Sequence, residues 1–205
     1  LYLDIPWEMP FGSLTLQLDP LAAFFMLPIL GLGVLTAFFG SEYLLSSHED
    51  KNQWISWLCF HILWGSMILV VLAANGLFFM LTWELTVISS FILVVMGGHA
   101  EEKRHAGLVY LVASHIGAGF LVVMFLVLAR ETGSLDFASF AKAAELPTAT
   151  RDALFLLAII GFGTKAGFIP LHVWLPEAHP AAPSHVSALM SGVMIKTGIY
   201  GLLRI

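Results

Sequence analysis

Three ionisable residues interrupt apolar runs where charge is expensive. Glu84 lies inside Asn75-Gly-Leu-Phe-Phe-Met-Leu-Thr-Trp-Glu84-Leu-Thr, Lys165 inside Ile159-Ile-Gly-Phe-Gly-Thr-Lys165-Ala-Gly-Phe, and Lys196 inside Ser191-Gly-Val-Met-Ile-Lys196-Thr-Gly. A charged side chain in hydrocarbon costs about 2.5–3.5 kcal/mol on insertion scales, and such residues mark ion or proton pathways. Desolvation lowers the proton affinity of a buried lysine, and a nearby carboxylate raises it. A group balanced in this way exchanges a proton when its neighbour moves. A structural ion pair between Glu84 and one lysine is the competing reading, and it leaves the second lysine unexplained.

Four histidines join these charges. His172, His179 and His185 cluster around the proline-rich stretch Pro170–Pro183, and His115 sits between Ser114 and Gly117. Histidine titrates near neutral pH and suits a relay; as a hydrogen-bonded packing group it would be silent, and for His115 both readings stand. The histidines lack the spacing and accompanying carboxylate of a zinc helix, so no metal is expected. His185, Gly192 and Lys196, at offsets of seven and four, are expected on one helical face. Thr82, Thr86 and Ser89 form a stripe nearly opposite Glu84, expected to be contact between helices.

The elements that position these residues are membrane helices. The chain has 205 residues, 59% hydrophobic and 11% charged, with mean hydropathy +0.88. A soluble domain is about 45–50% apolar and about 25% charged. A spanning helix needs about 20 mostly apolar residues, and six stretches qualify: 20–45, 54–74, 76–98, 105–130, 151–175 and 184–205. The fold class is therefore an all-α membrane bundle. Residues 1–19, with Asp4, Glu8 and Asp19, form an extramembrane segment or loop, and 20–205 form the bundle. At about 1.5 Å per residue, Glu84 lies about 13 Å and Lys165 about 21 Å from one side. Lys196, entering from the other, ends about 10 Å from the first side of a core about 30 Å thick. One central band could hold all three. Gly167, Pro170 and Pro176 break the fifth helix, and broken helices persist at membrane depth where they are buried in protein or line a cavity.

Other classes are excluded. The net charge of −5 and the lack of a basic cluster argue against nucleic acid. Cys59 is the one cysteine and reads as a small core residue, so neither disulfides nor an iron–sulfur site is expected. No Gly-rich dinucleotide loop follows a strand, and no cofactor is expected. Trp7, Trp54 and Trp57 fit interfacial anchors. Lys51, Lys103 and Arg104 on one side balance Lys142 and Arg151 on the other, so the positive-inside rule leaves the orientation open. The chain starts at Leu1 with no basic n-region and reaches Ile205 within an apolar run, as expected of a stretch of a longer subunit.

The stretch Lys165-Ala-Gly-Phe-Ile-Pro-Leu-His172-Val-Trp-Leu-Pro-Glu-Ala-His179-Pro-Ala-Ala-Pro-Ser-His185, continuing through Lys196-Thr-Gly to Arg204, resembles the antiporter-like membrane subunits. These occur in respiratory complex I, multisubunit cation/proton antiporters and membrane-bound hydrogenases. Trp83-Glu84 and Leu18-Asp19-Pro20 fit the same family, with residues 75–205 forming its core. From Ser184 to Lys196 the wording resembles the large membrane subunit of formate hydrogenlyase and related group 4 hydrogenases. The resemblance implies a larger bundle of inverted repeats with a broken helix, of which this chain covers most of the first repeat. It also implies roles: Glu84 pairs with and controls Lys165, and Lys196 is the next relay position. His185, His172 and His115 are further candidates. Implied partners are other membrane subunits, a peripheral hydrogenase or iron–sulfur arm, and the lipid of a bacterial or archaeal cytoplasmic (inner) membrane. The expected function is translocation of protons, with sodium the alternative ion, driven by electron transfer in those partners. A non-pumping anchor for the peripheral arm is the first competing reading. A self-contained solute transporter is the second.

Overall fold

A computed structural model describes residues 2–5, 14–46, 53–96 and 100–205. Trp7, Glu8, Lys51 and His99 lie outside the described residues. The strands β1 (Tyr2–Ile5) and β2 (Leu14–Gln17) form an antiparallel hairpin. Helices α1 (Pro20–Ser46), α2 (Gln53–Leu72), α3 (Gly76–Met96) and α4 (Ala100–Thr132) follow. A 3-10 helix (Phe137–Glu145) leads to α5 (Thr148–Ala166) and α6 (Leu175–Ala181). The last segment is α7 (Ser184–Leu189), a π turn (Met190–Met194) and α8 (Ile195–Arg204).

Among the described residues, α1 to α4 and the α7–α8 rod are long and apolar enough to cross a membrane, which makes five spans. Helix α5 makes the sixth crossing, despite carrying Arg151, Asp152 and Lys165 in 19 residues. Long-range contacts require it. Asp19, before α1, pairs with Arg204, at the end of α8, and the Tyr200 hydroxyl donates to the carbonyl of Val71 at the end of α2 (2.7 Å). Two chain points held on one side of a bilayer are separated by an even number of crossings.

That side is closed by a stitched layer. The Ala74 amide donates to Thr15 O (3.0 Å), Gly76 to Leu135 O (2.8 Å) and Phe137 to Ala74 O (2.9 Å). Asn75 caps α3, its Oδ1 accepting from the Leu77 amide (2.9 Å), while its Nδ2 donates to Asp136 (2.8 Å). The Asn75-Gly76 connection between α2 and α3 is thus tied to both the hairpin and the α4–α5 connection.

Two predicted elements differ. The sequence predicts a fifth span over 151–175, but α5 stops at Ala166. Gly167 adopts φ 77°, and the amide of Phe168 closes on Gly163 O (2.9 Å), a glycine-terminated helix end that Pro170 then prevents from resuming. The sixth span contains the π turn, whose extra residue rotates everything after it by about 100° relative to an unbroken helix. His185 and Gly192 therefore face α1, where a Cβ on Gly40 would meet the His185 ring at 3.0 Å and one on Gly192 would meet Leu32 at 2.2 Å. Lys196 is turned out to the surface. The three do not share a face.

The core is aromatic. Phe79, Trp83 and Phe162 are fully buried, with ring centroids 5.4–5.9 Å apart. Beside it, α8 lies against α5 through glycine: a Cβ on Gly198 would meet the backbone at Phe162 O (2.6 Å) and Ala166 N (2.8 Å). Backbone cannot step aside as a side chain can. Gly198→Ala should cost about 2 kcal/mol, within the range for overpacking. Thermal denaturation of the full-length subunit in detergent should show a lower midpoint, and an unchanged midpoint would mean that the two helices are free to separate.

Candidate functional site

Lys165 ends α5 with only 3% of its surface exposed. Its Nζ donates to Thr86 Oγ1 on α3 (3.1 Å) and to the Tyr110 hydroxyl on α4 (3.3 Å). The rings of Trp83 and Tyr110 lie 5.4 and 5.7 Å from Nζ, so their negative faces add to the site. A cation is also favoured at the carbonyl end of a helix. The break holds this end in place: Trp174 donates from Nε1 to Thr164 O (2.8 Å), one residue before Lys165. Among the described residues, no carboxylate lies within ion-pairing distance of Nζ. Hydroxyls and ring faces take the place of a counter-ion.

Glu84 follows Trp83 on α3 and is therefore rotated away from Lys165 by about 100°. Its carboxylate faces His115 Nε2 at 3.5 Å, with side-chain exposures of 31% for Glu84 and 52% for His115. His115 Nδ1 lies 2.9 Å from the carbonyl of Leu111, which can only accept, so Nδ1 carries a proton. Nε2 then meets the carboxylate either as part of an imidazolium or with its lone pair turned toward a protonated Glu84. A proton carried by either Nε2 or the carboxylate would lie between the two groups. The pair opens toward a shallow groove of about 410 Å³ lined by Leu111, Val112, His115 and Ile116.

Lys196 is exposed and donates to Ser191 O (2.7 Å), a carbonyl of the π turn. It is close enough for its charge to act on His179. His179 Nδ1 lies 3.3 Å from Ser187 Oγ, and its ring stacks on Trp174 at 6.2 Å. Trp174 in turn packs on Tyr110 at 5.0 Å. His172 is half-buried in the unwound segment, and its Nδ1 has no hydrogen-bond partner among the described residues. His185 is buried against Phe60 (5.7 Å) and Trp57 (6.4 Å), away from the lysines. Trp57 therefore packs inward, whereas Trp54 is exposed as an anchor would be.

The candidates thus fall into a central lysine, a carboxylate–imidazole pair beside it, and a second lysine near His179. Sequence reasoning missed Tyr110 and Ser90 and assigned Thr86 to helix contact. Their signal was available in part: Thr82, Thr86 and Ser90 recur every four residues on one face of α3, and Tyr110 is a phenol inside an apolar span.

Residues 73–205 match the family described as NADH:quinone oxidoreductase/Mrp antiporter, TM. The chain belongs to this family. Among its relatives is hydrogenase-4 component B of Escherichia coli, 42% identical over 200 residues, which cover 98% of this chain and 29% of the relative. A Na(+)/H(+) antiporter subunit of Alkalihalophilus pseudofirmus is 31% identical over 205 residues, covering 98% of this chain and 25% of that one. The chain thus spans under a third of the length of these relatives. In the structure of the Mrp complex from Dietzia sp. DQ12-45-1b, a chain aligns with TM-score 0.91 at 25% identity over 99% of this chain and 22% of its own length. The chain is an antiporter-like, multi-pass membrane protein. The family resemblance implies a Glu84–Lys165 pair. Here Glu84 is paired with His115, and Lys165 is held by hydroxyls.

Proposed function

We propose that this antiporter-like segment carries protons in a membrane-bound electron-transfer complex, using Lys165 as the central exchanging group. The observation that supports it best is Lys165 itself: a nearly fully buried amine at a helix break, with no carboxylate among the described residues within ion-pairing distance of it. A lysine kept only for a structural ion pair would have its partner. A buried ammonium without one costs several kcal/mol and is maintained where the charge is used. Glu84 and His115 form a proton-sharing pair one residue from the Trp83 ring that faces Lys165. On the other side, Tyr110, Trp174 and His179 lead toward Lys196. The driving redox reaction belongs to other subunits of the assembly, and a peripheral iron–sulfur arm is the partner proposed for it.

The test is proton uptake into sealed vesicles carrying the intact complex, with the redox rate followed in parallel. Wild type should move protons in proportion to turnover, and Glu84→Gln, which cannot share a proton with His115, should lose at least half of that uptake at an unchanged redox rate. Turnover without uptake in wild type would make the segment a non-pumping anchor for its partners. Substituting sodium-free buffer should leave uptake intact, and a requirement for sodium would reassign the ion.

A further inference from the structure

The hydroxyls around Lys165 have a direction, obtained by assigning each hydrogen in turn. Thr86 Oγ1 has one proton and lies 2.7 Å from the carbonyl of Trp83, which can only accept. Ser90 Oγ likewise has carbonyls of Thr86 and Val87 within reach. Both serine and threonine protons are therefore spent on the α3 backbone. Tyr110 OH lies 2.6 Å from Ser90 Oγ and donates to it, with only the Met194 sulfur, at 3.9 Å, as a weaker choice. Every hydroxyl hydrogen then points away from Lys165, and Nζ faces oxygen lone pairs alone. This arrangement suits an ammonium, which has only donors. A neutral amine has a lone pair that needs a donor; Thr86 would have to leave a carbonyl, whereas Tyr110 gives up only a hydroxyl acceptor by turning its O–H from Ser90 to Nζ.

We infer that Tyr110 is a positioning residue for proton exchange, its O–H direction setting which charge state of Lys165 the site holds, with Ser90 and Thr86 as the groups that bias it. This rests on Lys165 being the exchanging group and deepens that reading. Tyr110, Ser90 and Thr86 are at most 1% exposed, so bulk solvent does not reach these oxygens. Other titratable groups on the surrounding elements are turned elsewhere. Glu84 on α3 and His115 on α4 face each other, His179 on α6 faces Ser187 behind Trp174, and Lys196 on α8 reaches Ser191 O. Arg204 on α8 is held by Asp19, and His172 lies in the unwound segment.

The experiment is proton uptake per electron transferred, measured against pH in sealed vesicles with the intact complex; the ratio removes the pH dependence of the redox partners. Tyr110→Phe keeps the ring against Trp174 and removes one acceptor from the ammonium. Its alkaline half-point should move about one pH unit toward acid, as expected when one hydrogen bond to a charged group is lost. Ser90→Ala removes the alternative acceptor for the phenol, leaving its O–H to Nζ, and should shift the profile in the same direction by less. Thr86→Val should shift it too, and Thr86→Ser should restore the wild-type profile. A packing role alone would lower uptake without moving the half-point. If Lys165→Ala abolishes uptake while the Tyr110→Phe profile superimposes on wild type, the phenol has no such role and the lysine assignment survives. If Lys165→Ala pumps normally, the lysine assignment itself fails, and the role of Tyr110 with it. Should Tyr110→Phe fail to assemble, the Thr86→Val and Thr86→Ser pair carries the test, and identical profiles for the two overturn the inference.

Discussion

Replacing Lys165 with alanine will bring redox-driven proton uptake down to the passive leak, at least tenfold below wild type, in a complex that still assembles and turns over. Assembly survives because the groups left behind keep their partners. Thr86 still donates to Trp83 O and Tyr110 to Ser90, so no buried donor is orphaned. The loss is of a packed side chain and a costly charge, and deleting the latter offsets part of the former. Arginine at the same position separates two explanations that alanine cannot. It keeps a positive charge near the Trp83 and Tyr110 rings but does not release a proton at any working pH. If the site needs only a charge, Lys165→Arg will pump. If it needs an exchangeable proton, Lys165→Arg will be as silent as Lys165→Ala, and that is the expected result. Uptake and redox rate measured together on the three proteins decide it.

The reason Lys165 could be singled out from sequence, while its neighbours could not, lies in what each signal depends on. A lysine inside an apolar run carries its cost wherever the helix points, and the Gly167-Pro170-Pro176 spacing breaks the ladder in any orientation. Spans of about 20 apolar residues likewise survive small errors in their ends. The partners of a side chain depend instead on helix rotation. Glu84 and Trp83 differ by one residue, and that single step puts one toward His115 and the other over Lys165. The face shared by His185, Gly192 and Lys196 assumed an unbroken helix, and one extra residue in the π turn was enough to separate them. Nothing in the residue types from Met190 to Met194 announces that turn. The hairpin at the start was also illegible, because it is completed by contacts with Ala73 and Ala74 some sixty residues later.

Arg204→Ala should destabilise the bundle by about 3 kcal/mol, since removing one member of a largely buried pair strands the other. Asp19 and Arg204 have side-chain exposures of 24% and 12%. They are 185 residues apart in sequence and join the start of the first span to the end of the last. Asp19 also caps α1, its Oδ1 accepting from the Ala22 amide at 2.8 Å. Arg204 Nε donates to the Tyr200 hydroxyl (2.8 Å), which continues to Val71 O (2.7 Å), so one guanidinium ties α1, α2 and α8 together. Burial pushes the Asp19 carboxyl up, but its bonds to Arg204 and the Ala22 amide, with the charge of Arg204, outweigh burial and hold it below its ordinary 3.8. A depressed carboxyl contributes stability that is fully present above its unfolded value and is lost as pH falls through the folded one. Thermal midpoints of the full-length subunit in detergent should therefore fall as the medium is acidified from about pH 5 toward pH 2. In that window Arg204→Ala and Asp19→Asn should start lower and fall less, with Arg204→Lys between them and wild type because it lacks the second donor on Tyr200. Variants that melt like wild type at neutral pH would show that this contact does not hold the two ends of the bundle, and the even count of crossings would then need independent support from labelling at Asp19 and Arg204.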